Sequence, residues 1–147
     1  MIAVDTNVLV YAHRREFPQH EAAVAALKSL AEGPSAWGLP VFVLGEFLRV
    51  TTHLRVLEPP EDERESVAAL DRLLESPSVR ILSPGERYWG LLRSAVTSGG
   101  IRGNLVHDAA IAAVCREWGA TEVLTEDRDF SRFPGITVRR LGDAPEA

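Results

Sequence analysis

Two acidic residues follow short apolar segments of the sequence. Asp5 comes directly after residues 2–4, Ile-Ala-Val, and Asp127 lies just past residues 122–125. Apolar runs of this length predict buried strands. Because ligands of open parallel sheets bind at the carboxyl edge of the strands, we expect both carboxylates at the same rim.

Two further acids interrupt the apolar faces of predicted helices. Glu46 lies one turn after Val43 and one turn before Val50, and Asp108 shares a stripe with Ile111 near the start of its helix. This spacing places each carboxylate on a face that should be buried. Burial of a charge is costly unless the charge is compensated, so both acids are candidate functional residues.

Compensation by a metal ion would explain all four acids together. Carboxylates in one cleft repel one another and raise each other's proton affinity, and a divalent cation removes that penalty. Oxygen ligands favour Mg²⁺ or Mn²⁺, whereas the cysteine and histidine sets typical of zinc are absent from the sequence. Such ions activate water and stabilise a leaving oxygen, so the pattern predicts phosphodiester hydrolysis.

Each acid also has a purely structural interpretation. Asp5, Thr6 or Asn7 could cap the first helix, and Asp108 could complement the dipole of its own helix.

The other acids could likewise serve the local chain. Glu46 could form an exposed ion pair with Arg49 one turn away, worth about 0.5 kcal/mol or less. Asp127 and Asp129 could shape a turn, where aspartates are common. The conjunction of all these acids is what favours a shared site.

The elements that position these residues follow from the alternation of short apolar runs and helical patterns. Strands are predicted at about residues 2–5, 37–39, 79–82, 122–125 and 136–141. Helices are predicted at about residues 8–12, 19–32, 40–52, 61–76, 84–98 and 105–118, with Pro40 in the first turn of the third, Pro84 opening the fifth and Asn104 capping the sixth. Right-handed crossovers then imply the α/β class: a three-layer α/β/α fold with a short central parallel sheet of about five strands.

Length and composition limit the class of protein. The 147 residues fit one domain, which we place at 1–141, followed by a loose tail at 142–147. The net charge of −5 argues against a generally basic, DNA-coating protein, and the single lysine, Lys28, removes most support for a phosphate-binding loop or Schiff-base chemistry. No signal peptide or membrane-spanning run is recognisable, so we expect a cytoplasmic protein without a membrane partner.

Other reactive or aromatic residues have unremarkable interpretations. The lone Cys115 excludes an internal disulfide and fits a small core residue. The histidines have no ligand-like spacing and are expected at the surface or at helix ends: His13, His20, His53 and His107. The tryptophans are expected in the core or at an interface: Trp37, Trp89 and Trp118. Some arginines could contact phosphates, although a solvated face is the default: Arg14, Arg15, Arg49, Arg102 and Arg128.

Four sequence segments in this order resemble the PIN-domain nucleases, and specifically the VapC-type ribonuclease toxins of toxin-antitoxin pairs. The segments are Val-Asp-Thr-Asn at 4–7, Leu-Gly-Glu-Phe-Leu-Arg at 44–49, Gly-Asn-Leu-Val-His-Asp-Ala at 103–109, and Leu-Thr-Glu-Asp-Arg-Asp-Phe at 124–130 followed by Arg-Phe-Pro-Gly at 132–135. The resemblance covers nearly the whole chain.

The resemblance implies a role for each acid. Asp5 and Asp108 would be the principal ligands of Mg²⁺, with Mn²⁺ able to substitute, and Asp127 and Glu46 would complete the set directly or through water. Asp127 is preferred to Asp129 because it follows Thr125 by two positions. The supporting residues would be Thr6, Asn7, Asn104, Thr125 and Asp129.

Function and partners also come from the resemblance. It implies an endoribonuclease toxin that cleaves cellular RNA and inhibits translation and growth, forms homodimers and is neutralised by a small cognate antitoxin. The alternative is a catalytically silent PIN-like module that binds RNA or protein. A signalling receiver domain lacks support because no suitable lysine lies near the last strand, and a haloacid-dehalogenase-like phosphatase would need an aspartate where Asn7 stands.

Overall fold

The computed structural model describes residues 1–53, 56 and 58–143, and in this part strands and helices alternate along the chain. The strands are β1 (Ile2–Val4), β2 (Trp37–Pro40), β3 (Val79–Leu82), β4 (Glu122–Leu124) and β5 (Thr137–Arg139). The helices are α1 (Thr6–His13), α2 (His20–Glu32), α3 (Val41–Thr52), α4 (Glu63–Leu74), α5 (Tyr88–Gly99) and α6 (Leu105–Glu117). A short 3-10 helix, Arg128–Arg132, follows β4.

The five strands form one parallel sheet in the order β3-β2-β1-β4-β5. In the central strand β1, Ala3 pairs with Gly38 on one side and with Val123 on the other. The chain first builds the sheet outward from β1 through β2 to β3, and then returns to add β4 against the opposite side of β1. The strand order therefore reverses between β1 and β4, where an open sheet leaves a crevice at its carboxyl edge.

Helices cover both faces of the sheet. Helices α1 to α4 contact one another in sequence, whereas α5 packs against α6. Because right-handed crossovers run in opposite directions before and after β3, the two groups lie on opposite faces. The predicted three-layer α/β/α fold with five parallel strands is confirmed.

The core fills the space between sheet and helices. Trp37 is fully buried and donates its Nε1–H to the Ser78 hydroxyl at 3.2 Å. Cys115 is also fully buried, as predicted, and burial raises the pKa of its thiol to about 12. The other two tryptophans are exposed, Trp89 by 66% and Trp118 by 46%. Within the described part of the chain, the helices are too short or too polar to cross a membrane.

Helix α5 begins at Tyr88, so the prediction that Pro84 opens it was wrong. The Glu117 carboxylate, at the end of α6, accepts the backbone N–H of Gly85 at 2.6 Å and that of Arg87 at 2.7 Å. These two hydrogen bonds satisfy backbone donors that a helix start would otherwise leave unpaired. The segment before α5 is therefore held as a loop by a contact from a distant part of the sequence.

Two other predictions at helix starts were wrong. Pro40 belongs to β2 and precedes α3 instead of lying in its first turn. Asn104 precedes α6 as predicted, but its side chain makes no capping hydrogen bond.

Other boundaries shift by one or two residues. The strands β1, β4 and β5 are shorter than predicted, and α4 and α6 end before residues 76 and 118. The single-domain assignment and the loose tail stay predictions, and residues 144–147 of that tail lie outside the described residues.

Candidate active site

Asp5 caps α1 and also lies at the carboxyl edge of the sheet. Its Oδ1 accepts the backbone N–H of Thr6 at 2.7 Å, while its Oδ2 accepts hydrogen bonds from Thr125 Oγ1 at 2.7 Å and Asn7 Nδ2 at 3.0 Å. Only 6% of Asp5 is exposed, and burial raises the pKa of its carboxyl although the Thr125 and Thr6 hydrogen bonds oppose that shift. The capping interpretation is therefore correct, and it does not remove Asp5 from the site.

Thr125 connects the two strand ends that meet at the crevice. Its fully buried hydroxyl donates to Asp5 and accepts from Asn7 Nδ2 at 2.9 Å and from the backbone N–H of Asp127 at 3.0 Å. Asn7 Oδ1 in turn accepts the backbone N–H of Glu126 at 3.2 Å. These bonds join segments nearly 120 residues apart in the sequence, so the orientation of Asp5 depends on the loop after β4.

Asp127 starts the 3-10 helix and faces a second acidic side chain. Its Oδ1 accepts the backbone N–H of Asp129 at 2.9 Å, as the turn interpretation requires. Each of Asp108, Asp127 and Asp129 also offers a carboxylate oxygen such that all three oxygens lie within 4.8 Å of one another. Three oxygen ligands at this spacing suit a hard divalent cation.

Asp108 is the acid most strongly influenced by the others. Burial raises the pKa of its carboxyl to about 7, and the negative charges of Asp127, Asp5, Asp129 and Glu46 raise it further in the same direction. Five acids from four separate segments thus lie near enough to repel one another. The triad within 4.8 Å includes Asp129, whereas Asp5 and Glu46 lie outside it.

Glu46 is half-buried on α3, and its carboxylate contacts the imidazole of His107 on α6. Arg49, the alternative partner, is exposed and forms no ion pair among the described residues. His107 was placed among surface or helix-end histidines, so its presence in the site was missed. The available signal was its spacing, since Asn104, His107 and Asp108 occupy positions i, i+3 and i+4 of one helix face.

Two adjoining cavities contain these side chains and share Glu46, Asp108 and Asp127. The smaller, of about 300 Å³, is bordered by Asp5 and Asn7, together with apolar side chains of α1 and α3. The larger, of about 960 Å³, extends over α3 and the start of α6. The site therefore consists of an acidic centre with an open cleft beside it.

Known proteins with similar sequences and folds agree with this geometry. Residues 2–136 match the PIN domain family. The VapC ribonuclease Mb2897 of Mycobacterium bovis is 41% identical over 139 residues, which are 95% of this chain and 94% of that protein.

Two solved structures have the same fold. VapBC2 from Rickettsia felis, bound to a DNA fragment from its promoter, matches with a TM-score of 0.68 at 23% identity, covering 95% of this chain and 98% of that one. VapC20 of Mycobacterium tuberculosis, a toxin that cleaves the sarcin-ricin loop, matches with a TM-score of 0.67 at 24% identity, covering 89% and 93%. Fold, sequence and acidic centre together lead to one assignment: this chain belongs to the PIN-domain family and, within it, to the VapC ribonucleases.

Proposed function

We propose that this protein is the endoribonuclease toxin of a toxin-antitoxin pair and that it hydrolyses RNA phosphodiester bonds with Mg²⁺, which Mn²⁺ can replace. The observation that carries this proposal is the convergence of five acids on one cavity, where burial and neighbouring charges raise the pKa of Asp108 to about 7. A carboxyl in that state holds a proton at neutral pH unless a cation takes its place.

The donor set fits a hard dication. All candidate ligands are carboxylate oxygens, and three of them already lie within 4.8 Å of one another. We assign Asp108, Asp127 and Asp5 as the residues that would hold the ion, with Glu46 and Asp129 completing the acidic set. Such an ion lowers the pKa of an attacking water and stabilises charge on the phosphate.

The chain's own residues fix the geometry before any ion binds. Thr125 and Asn7 together hold Asp5 Oδ2, so this oxygen is oriented by two hydrogen bonds from different elements. Asp127 is held by the bond from its Oδ1 to the N–H of Asp129 and by the bond from its own N–H to Thr125. Because these positions are set by the fold, little reorganisation is needed on binding, which is where catalytic sites gain most.

An antitoxin partner is part of the same proposal. The solved neighbours include toxin-antitoxin complexes, among them VapBC2. An apolar groove of about 460 Å³ lies between α2 and the end of β5, and its lining includes Ile2, Leu30, Leu124 and Leu141. We assign this groove as a place where an apolar antitoxin segment can bind.

Cleavage assays with purified protein test the catalytic proposal. With Mg²⁺ or Mn²⁺ the protein should cut RNA, EDTA should abolish cutting, and Asp5→Asn should reduce the rate by about 10³-fold or more, because one carboxylate of the metal centre is lost. Asp71→Asn, an exposed acid on α4, is the matched control and should cut at the parent rate.

The outcomes separate the candidate functions. Equal cleavage by the Asp5→Asn protein would defeat the metal mechanism. Growth arrest on expression without any RNA cleavage would favour the catalytically silent binding module. Relief of growth arrest by the product of a neighbouring gene would identify the antitoxin.

A further inference from the structure

The larger cavity is bigger than a hydrated metal ion requires. Its volume of about 960 Å³ lies at the upper end of the roughly 300–1,000 Å³ typical of ligand pockets. Beyond the acids it is lined by side chains of different chemistry on α3 and at the start of α6: Val41, Phe42, Arg49, Asn104, Leu105 and His107. This part of the cleft is where substrate flanking the reacting phosphate must lie.

One face of α3 forms the first wall of this cleft. Phe42, Glu46 and Arg49 occupy positions i, i+4 and i+7, so they lie in a row on one side of the helix. Gly45 lies in the same row, and a Cβ at this position would meet nothing within 4 Å, so the helix surface there is open. The row offers an aromatic ring at one end and a cation about 10 Å further along the helix axis.

The two ends of this row are suited to different parts of a nucleotide. Phe42 packs against Tyr88 with ring centroids 6.0 Å apart and an interplanar angle of 38°, which restricts its orientation. Arg49 is exposed and forms no ion pair among the described residues, so its guanidinium is available to a phosphate. In a site otherwise dominated by carboxylates, Arg49 supplies positive charge for a polyanion.

The start of α6 forms the opposite wall. The Asn104 side chain is exposed, lines the cleft and forms no hydrogen bond with the described residues. An amide offers both a donor and an acceptor, as base edges do. His107 contacts Glu46 across the cleft and thereby links the two walls beside the acidic centre.

From this arrangement we propose a subsite for one unpaired RNA nucleotide next to the scissile phosphate. Its base stacks on Phe42 and is read by Asn104, and its phosphate contacts Arg49. A base inside a duplex is already stacked and paired, so only an unpaired nucleotide can use both contacts. The subsite rests on the proposed ribonuclease function and defines the substrate class as single-stranded or looped RNA.

Steady-state kinetics on a random 20-nucleotide RNA, with the cut ends sequenced, test the subsite. Phe42→Leu removes the aromatic ring but keeps apolar bulk, and should raise KM by about tenfold while kcat stays within about twofold. Phe42→Trp should keep or lower the parent KM because stacking is retained. Melting temperatures of both variants separate a binding effect from loss of fold.

The polar contacts have their own readouts. Arg49→Gln should raise KM several-fold and reduce the slope of log KM against log salt by about one phosphate contact. Asn104→Ala should broaden the base preference at the nucleotide beside the cut. Arg64→Gln, an exposed arginine at the start of α4, is the control and should match the parent protein in all three measurements.

Annealing the RNA to its complement should abolish cleavage. Parent KM values for both Phe42→Leu and Arg49→Gln, or equal cleavage of the duplex, would overturn the subsite even though Asp5→Asn is inactive. Weakened antitoxin binding with unchanged RNA kinetics would also overturn it, because the cleft would then serve protein recognition. Full activity of Asp5→Asn would instead defeat the underlying ribonuclease mechanism.

Discussion

At the scale of single residues, Asp108 makes the stability of the metal-free protein depend on pH. The pKa of its carboxyl is about 7 in the folded protein, against 3.8 for an ordinary aspartate. The folded state therefore binds this proton more tightly than the unfolded state does. The stabilisation is complete below about pH 3.8 and is lost as the pH rises through about 7.

Urea unfolding in EDTA at pH 5.5 and pH 8 measures this dependence. We expect the parent protein to lose more stability over this interval than Asp108→Asn, which has no proton to lose at this position. The variant should also be the more stable of the two at pH 8, because one repelling charge is absent. Identical pH slopes for the two proteins would contradict the assignment of a raised pKa to Asp108.

Thr125 should be needed for both stability and activity. Thr125→Val removes the hydroxyl that donates to Asp5 and accepts the N–H of Asp127, at a fully buried position. We expect a loss of about 1–3 kcal/mol in the free energy of unfolding and at least about a tenfold fall in the cleavage rate. Thr125→Ser restores the hydroxyl and should recover most of both; parent-like cleavage by the valine variant would show that the bond network is dispensable.

The acids of the site were predictable from the sequence because each broke a local pattern. Asp5 ended an apolar run, and Glu46 and Asp108 occupied apolar helix faces. The role of His107 was not predictable in this way, because it depends on a contact between α3 and α6. The same holds for Asp129, whose distance to Asp108 depends on how the loop after β4 folds back.

At the scale of elements, helix α5 shows how a tertiary contact overrides a local signal. A proline is favourable in the first turn of a helix, which made Pro84 a reasonable start. The Glu117 carboxylate instead accepts two N–H groups from the following residues. Strand positions, by contrast, were predicted well, because a buried parallel strand is apolar on both faces and is visible as a short run.

Removing the Glu117 carboxylate should loosen the start of α5. In Glu117→Ala the N–H groups of Gly85 and Arg87 lose their acceptor, so we expect a loss of about 1–3 kcal/mol in the free energy of unfolding and faster hydrogen exchange at these two amides. Glu86→Ala changes an exposed acid in the same loop and is the control. Unchanged exchange at both amides in the Glu117 variant would refute the proposed support.

At the scale of the whole molecule, the outer side of α5 is suited to a homodimer contact. All twelve residues of this helix are described and none is buried, although its inner side packs on α6. Trp89 is 66% exposed and Val106 beside it 38% exposed. Together with Leu92 and Val96 they line a shallow apolar hollow of about 260 Å³, and such patches mark association surfaces.

Light scattering coupled to size exclusion checks this contact. The parent protein should elute with twice the mass of the chain, and Trp89→Glu should shift the mass to that of a monomer at the same concentration, because a charge would be buried in the interface. Val67→Glu, at an exposed position on α4, is the control and should leave the mass unchanged. A dimeric Trp89→Glu protein would place the interface elsewhere.

The sheet order has a consequence for the protein while it is being synthesised. The central strand β1 leaves the ribosome first, but its neighbour β4 and the acids after it emerge only when more than four-fifths of the described chain has been made. Until then the nascent chain lacks Thr125, Asp127 and Asp129, and Asp5 has no partner across the crevice. A ribonuclease built in this order cannot attack RNA near the ribosome that is producing it until translation of its catalytic centre is finished.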